Sequence, residues 1–292
     1  MSSLLKYITL TDPSSPHKPR RLAYYEYGDP LNPHVIICVH GLSRNGRDFE
    51  FLANTLSAKY RVICPDMAGR GSSDWLVNAL DYNYPLYIAD CIALLAQLGI
   101  SKVGWIGTSM GGIIGMMLAG SNPFLITRLV LNDIGAVVSA TGLRRILNYV
   151  GSSGIFDNEN DALAYLKSII APFGITSQAH WQYMLEISFD KLPDGKYALS
   201  YDPGISGPMR VAQAGDVPVT NIDLSAFWST ILCPTLILRG EHSDILTRET
   251  ALAMRSSRPG VTLVEIKNAG HAPALLEESQ IKTITDWLDF NP

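Results

Sequence analysis

The residues Val103-Gly104-Trp105-Ile106-Gly107-Thr108-Ser109-Met110-Gly111-Gly112 restrict the fold more than any other stretch of this chain. An apolar, strand-like run ends at Gly107, and a helix-like apolar run follows Gly112. Ser109 lies between them, flanked by Gly107 and Gly111 in the spacing G-x-S-x-G. A strand that turns straight into a helix crowds the chain, and glycine on either side of the serine leaves room. Such a turn lifts the serine hydroxyl clear of the sheet. It also aims the N–H groups of the next helix's N-terminus at developing negative charge.

Strand and helix signals alternate on both sides of this turn. Residues 4–11 and 21–27 read as strands, linked through the turn-rich Asp12-Pro13-Ser14-Ser15-Pro16. The run Val35-Ile36-Ile37-Cys38-Val39 is continuously apolar, as a strand covered on both faces should be. Residues 61–64, 103–107 and 128–132 are further strands, with helical spacings over 47–59, 87–98 and 111–120. The alternation returns with strands at 235–238 and 261–266 and helices at 249–256 and 275–288. This predicts an α/β fold, about eight strands in a mostly parallel sheet flanked by helices.

Residues 137–222 break the rhythm. Apolar helical stretches at 143–150, 162–170 and 180–187 are separated by joints such as Asp202-Pro203-Gly204 and Ser206-Gly207-Pro208. The expectation is a helical lid over 137–222, inserted after the sixth strand, with the core formed by 1–136 and 223–292. The lid's Tyr149, Phe156, Phe173, Trp181, Tyr183 and Met184 either line an apolar acyl pocket or form the small core that a helical insertion needs.

Composition excludes several other classes. The net charge is −4 and Lys and Arg form no basic run, which argues against nucleic acid as a partner. Met1-Ser2-Ser3-Leu4-Leu5-Lys6-Tyr7 lacks a basic start followed by a long apolar stretch, so no signal peptide is expected. No apolar run reaches about 18 residues, so no membrane span is expected. Cys38, Cys64, Cys91 and Cys233 fall in apolar strand or helix patterns and read as small buried hydrophobes, which points to a reducing, cytoplasmic setting. No cluster has metal-ligand spacing and no phosphate loop of the form G-x-x-x-x-G-K-[ST] occurs, so neither metal nor other cofactor is expected. The oligomeric state is not legible.

A serine nucleophile needs a base, an acid to orient that base, and donors for the oxyanion. In open α/β sheets such groups gather at the carboxyl ends of strands. After the strand ending at Val39 comes His40-Gly41-Leu42-Ser43, where the N–H of Leu42 is a candidate oxyanion donor alongside that of Met110. His40 itself reads as a loop anchor. After strand 235–238 comes Arg239-Gly240-Glu241-His242-Ser243-Asp244, with Asp244 as the candidate acid. After strand 261–266 comes Asn268-Ala269-Gly270-His271, with His271 as the candidate base.

With these motifs in place the chain resembles the α/β-hydrolase superfamily along essentially its whole length. His40-Gly41 resembles that family's oxyanion loop. Asp66-Met67-Ala68-Gly69-Arg70-Gly71-Ser72-Ser73 resembles its D-x-x-G-x-G-x-S segment, Gly107 to Gly112 its nucleophile elbow, and Gly270-His271 its histidine loop. The resemblance implies a triad of Ser109, Asp244 and His271 and a lid after strand six. It also supplies an alternative acid, because some members carry theirs after the sixth strand, where this chain has Asp133. Asp66 reads as a turn anchor. Arg44 and Arg70 either clamp an anionic substrate or form ion pairs with Asp48, Asp66 or Asp74, and ion pairs are the expectation.

The reaction implied is metal-independent hydrolysis of a carboxylic ester through an acyl-enzyme. The partner would be a small or medium organic substrate with an apolar acyl part. Hydrolysis of a C–C bond in a diketone or ring-fission product is an alternative. Those enzymes share the Ser-Met-Gly-Gly elbow, but many carry Trp after the histidine, where this chain has Ala272. A ligand receptor on a hydrolase scaffold is the third reading.

Overall fold

Eight strands form one sheet: β1 (Leu4–Asp12), β2 (Ser15–Tyr27), β3 (Val35–Val39), β4 (Arg61–Pro65), β5 (Val103–Thr108), β6 (Ile126–Asn132), β7 (Thr235–Gly240) and β8 (Val261–Ile266), in the spatial order β1-β2-β4-β3-β5-β6-β7-β8. The computed structural model describes residues 3–214 and 218–291. Met1, Ser2, Pro292 and, within the stretch assigned to a lid, residues 215–217 lie outside the described residues. β2 runs antiparallel to β1 and β4, and the strands from β4 to β8 are parallel. Parallel neighbours need crossovers, and helices α1 (Glu50–Leu56), α2 (Tyr84–Gln97) and α3 (Met110–Ser121) supply the early ones.

The continuous apolar strands serve two cores at once. Val35, Ile37 and Val39 of β3 pack into a cluster on one face of the sheet, whereas Ile36 and Cys38 pack into a second cluster on the other. β6 divides in the same way, with Leu129 and Leu131 on one side and Val130 on the other. Period-two alternation therefore persists even in β3, where every position is apolar, because both faces are covered.

Between β6 and β7 the chain leaves the sheet. This excursion holds α4 (Ala140–Leu147), α5 (Glu159–Ile170), α6 (Gln178–Ser188) and α7 (Gly207–Ala214). Val137–Val138 pairs antiparallel with Ile222–Asp223 at its neck. The first three helices start a few residues before the apolar periodicity does, because polar caps open them. Ser139 accepts from the Thr141 N–H, Asn158 from Asp161 and Ser177 from His180. Two helices, α8 (Arg248–Ser257) and α9 (Glu278–Phe290), follow β7 and β8. α9 starts later than its apolar spacing suggests, since Leu275 has φ 57° and its N–H donates to Gln280 Oε1. The helical spacing over 47–59 resolves into a 3-10 turn, Gly46–Phe49, followed by α1.

Candidate active site

The turn between β5 and α3 is as sharp as its glycines imply. Ser109 has φ 50° and ψ −110°, a conformation that strains any residue with a side chain. A Cβ on Gly107 would stand 2.4 Å from the Gly111 carbonyl, and one on Gly111 would stand 1.9 Å from the Val39 oxygen. No larger residue fits either position. The surroundings hold the strain in place. The Ser109 N–H donates to Asn132 O at 3.0 Å, and the indole N–H of Trp105 donates to Gly111 O at 2.9 Å.

The loop after β8 brings His271 to this serine. Its Nε2 lies 2.9 Å from Ser109 Oγ and its Nδ1 lies 2.8 Å from Asp133 Oδ2. A carboxylate can only accept, so Nδ1 carries the proton and Nε2 is left to accept from the serine hydroxyl. Asp133 is fully buried in the loop after β6, with φ 57°. Its Oδ1 accepts from the Gly240 N–H at 2.7 Å, and its Oδ2 also accepts from the Ser243 hydroxyl at 2.5 Å. Three donors from two other loops thus fix the carboxylate that faces the imidazole.

Asp244, the acid expected from the sequence, does not meet the ring. The structure puts Asp133, the alternative, in that place. The loop after β7 turns Ser243 inward and Asp244 outward. There Arg145 of α4 donates to both carboxylate oxygens, at 2.6 and 2.8 Å. Burial works to raise the Asp244 pKa, but the Arg145 guanidinium outweighs it and holds the carboxyl below its ordinary range. Ser243 went unnoticed in the sequence, where a lone loop serine carries no signal.

The loop after β3 is anchored from below. His40 is buried. Its Nδ1–H donates to Gly41 O at 2.7 Å and its Nε2 accepts from the Met67 N–H at 2.9 Å. Burial pushes its pKa down to about 3, so the ring is neutral. Asp66 accepts from the Gly46 and Ser72 N–H groups, each at 2.7 Å, and is a turn anchor as read from the sequence. Arg44 pairs with Asp48 at 2.6 Å. Arg70 does not form the expected ion pair. Among the described residues it has no carboxylate partner, and it donates instead to Leu42 O at 2.8 Å. The N–H groups of Leu42 and Met110 have no backbone or side-chain acceptor among the described residues.

Ser109 opens into an apolar cavity of about 300 Å³. The core contributes Leu42, Met110, Ile113 and Ile134, and the excursion contributes Leu143, Ile146 and Leu147 from α4 with Met209 and Ala212 from α7. Tyr84 and Thr220 bring the only other side-chain hydroxyls among its described lining residues. The aromatics singled out in the sequence lie elsewhere. Phe156, Phe173, Trp181, Tyr183 and Met184 pack with α5 and α6 into a third cluster, and Tyr149 packs against the main core.

Comparison with known proteins agrees with this architecture. The alpha/beta hydrolase family matches residues 36–281. A protein of Cupriavidus necator named 3-hydroxybutyrate-oligomer hydrolase is 39% identical over 283 residues, covering 96% of both chains. The crystal structure of a putative hydrolase from Rickettsia typhi superimposes with a TM-score of 0.90 at 35% identity, over the whole of both chains. That of an alpha/beta hydrolase from Novosphingobium aromaticivorans gives 0.85 at 37% identity, over 98% of each. Among the described residues no helix is long and apolar enough to cross a membrane. This chain belongs to the alpha/beta hydrolase family.

Proposed function

We propose that the protein is a serine hydrolase that cleaves carboxylic esters with an apolar acyl part through an acyl-enzyme. The observation that carries this reading is the unbroken line from Ser109 Oγ to His271 to Asp133, with links of 2.9 and 2.8 Å. Ser109 attacks the ester carbonyl while His271 Nε2 takes its proton. The N–H groups of Leu42 and Met110 hold the oxyanion. Collapse of the tetrahedral intermediate expels the alcohol, which receives the proton from His271. Water, activated by the same imidazole, then attacks the acyl-enzyme and releases the acid. Asp133 holds the tautomer and stabilises the imidazolium. Residues 137–222 act as a lid, with α4 and α7 roofing the acyl pocket.

The name of the Cupriavidus necator relative supports an ester of a short hydroxy acid as substrate, such as a 3-hydroxybutyrate oligomer. Four cysteines without a disulfide, three of them buried, support a cytoplasmic location. The test is hydrolysis of p-nitrophenyl butyrate and of 3-hydroxybutyrate dimer by the wild type and by S109A. Turnover of both substrates is expected, with kcat falling by about 10⁶ in the variant. S109A activity at a few per cent of wild type removes the assignment. Cleavage of a dienoate ring-fission product without ester turnover replaces it with C–C hydrolysis.

A further inference from the structure

We infer that Arg70 is a positioning residue for the oxyanion donors of the reaction proposed above, on which this inference rests. Arg70 lies in the loop after β4 and its side chain is fully buried. Its Nε donates to Leu42 O at 2.8 Å, and its Nη1 donates to Ala68 O at 2.6 Å and to the Tyr87 hydroxyl at 2.8 Å. Its Nη2 faces Met110 Sδ at 3.8 Å. The guanidinium carbon stands 5.0 Å from the centre of the Tyr87 ring and 5.5 Å from that of Tyr82. Arg70 therefore touches both residues whose backbone N–H groups are the proposed donors.

The charge state is the informative part. Burying a cation without a counter-ion is unfavourable, and here carbonyls, a hydroxyl and two aromatic faces offset that cost in place of a carboxylate. Holding the loop does not by itself call for a charge, since neutral His40 already anchors it through Gly41 and Met67. A guanidinium with no carboxylate in contact among the described residues leaves a positive potential at Leu42 and Met110, where water screens it poorly. The oxyanion appears only as the reaction proceeds, so this potential favours the transition state over the bound ester. The hydrogen bond to Leu42 O also fixes the backbone that presents the Leu42 N–H. Arg70 is itself clamped from the other side: its backbone bridges Tyr201 of the excursion, and the Gly71 N–H donates to Ser200 O at 2.9 Å.

The experiment compares wild type, R70Q and R70K in kcat and KM for p-nitrophenyl butyrate and in affinity for butylboronic acid, which becomes a tetrahedral anion on the serine. Thermal melts establish folding. The expected result for R70Q is a kcat lower by about 10- to 100-fold, short of the loss of a whole oxyanion donor, with KM within about threefold. Boronate affinity falls by the same factor as kcat, and R70K lies between the two. A purely structural anchor would not move kcat and boronate affinity together at constant KM. A folded R70Q with kcat within about threefold of wild type overturns the inference. So does a rise in KM alone. If R70Q does not fold, R70K decides. A lysine ammonium keeps the charge but loses the fork that joins Leu42 O to Tyr87, so kcat must still fall by about fivefold. Unchanged kcat in R70K overturns the inference. A wild type without Ser109-dependent turnover removes the proposed function and this inference together. Normal wild-type turnover with unaffected variants removes the inference alone.

Discussion

The loops after β6 and β7 each present an aspartate at the carboxyl edge of the sheet, and the two have opposite fates. Asp133 is fully buried, sits at φ 57° and receives three donors, one of them the imidazole. Asp244 is 29% exposed and faces Arg145 on α4. One carboxylate is enclosed by the core and aimed at the ring. The other ties the core to the excursion. The difference shows that closeness to the site does not assign an acid. What matters is which carboxylate the neighbouring loops can hold against the ring, out of water and fully hydrogen-bonded.

The most forceful attempt to break this contrast is D133N set against D244N. D133N leaves the shape intact but reverses the tautomer preference, and kcat is expected to fall by about 10⁴, whereas D244N stays within about threefold of wild type. Equal losses in steady-state ester assays would erase the distinction. A finer probe is S243A, which removes one donor from Asp133. The expected loss is about tenfold in kcat, the worth of about 1.5 kcal/mol for a hydrogen bond to a charged group. The smallest effect is on stability. R145A breaks a pair whose side chains are 31% and 29% exposed, so it should cost less than about 1 kcal/mol in urea melts at pH 7. The sign follows from the lowered Asp244 pKa. The pair's contribution is fully present above the ordinary carboxylate range, at about 3.9, and is lost as pH falls through the lower folded value. Wild type and R145A should therefore converge in acid. A gap that persists there would show that Arg145 stabilises by packing instead.

Much of the scaffold was legible because its signals are local. Uninterrupted apolar runs mark β3 and β6, and the spacing Gly107, Ser109, Gly111 marks the elbow without reference to distant sequence. The His271 loop was also legible, as a Gly-His pair directly after a strand, and the structure brings that ring to Ser109. Which of the two named aspartates faces the ring was not, because it depends on side-chain direction. Asp133 points inward through a left-handed backbone, and Asp244 is drawn outward by an arginine 99 residues away. Neither fact has a local signature. Aromatic content likewise misdirects attention in the excursion, where the aliphatic faces of α4 and α7 line the cavity and the aromatics serve its own core. Arg70 shows the same limit from another side. Asp48, Asp66 or Asp74 was the expected ion-pair partner, but carbonyls and rings took the guanidinium instead.

The neck formed by Val137–Val138 and Ile222–Asp223 has an evolutionary consequence. Paired antiparallel strands stand only about 5 Å apart, so everything between them departs from and returns to nearly one point. A segment attached in this way is interchangeable: it can be lengthened, shortened or replaced by recombination without re-registering any strand of the sheet. Selection can thus remodel the part of the cavity that α4 and α7 line while Ser109, His271 and Asp133, which all lie outside the segment, keep their alignment.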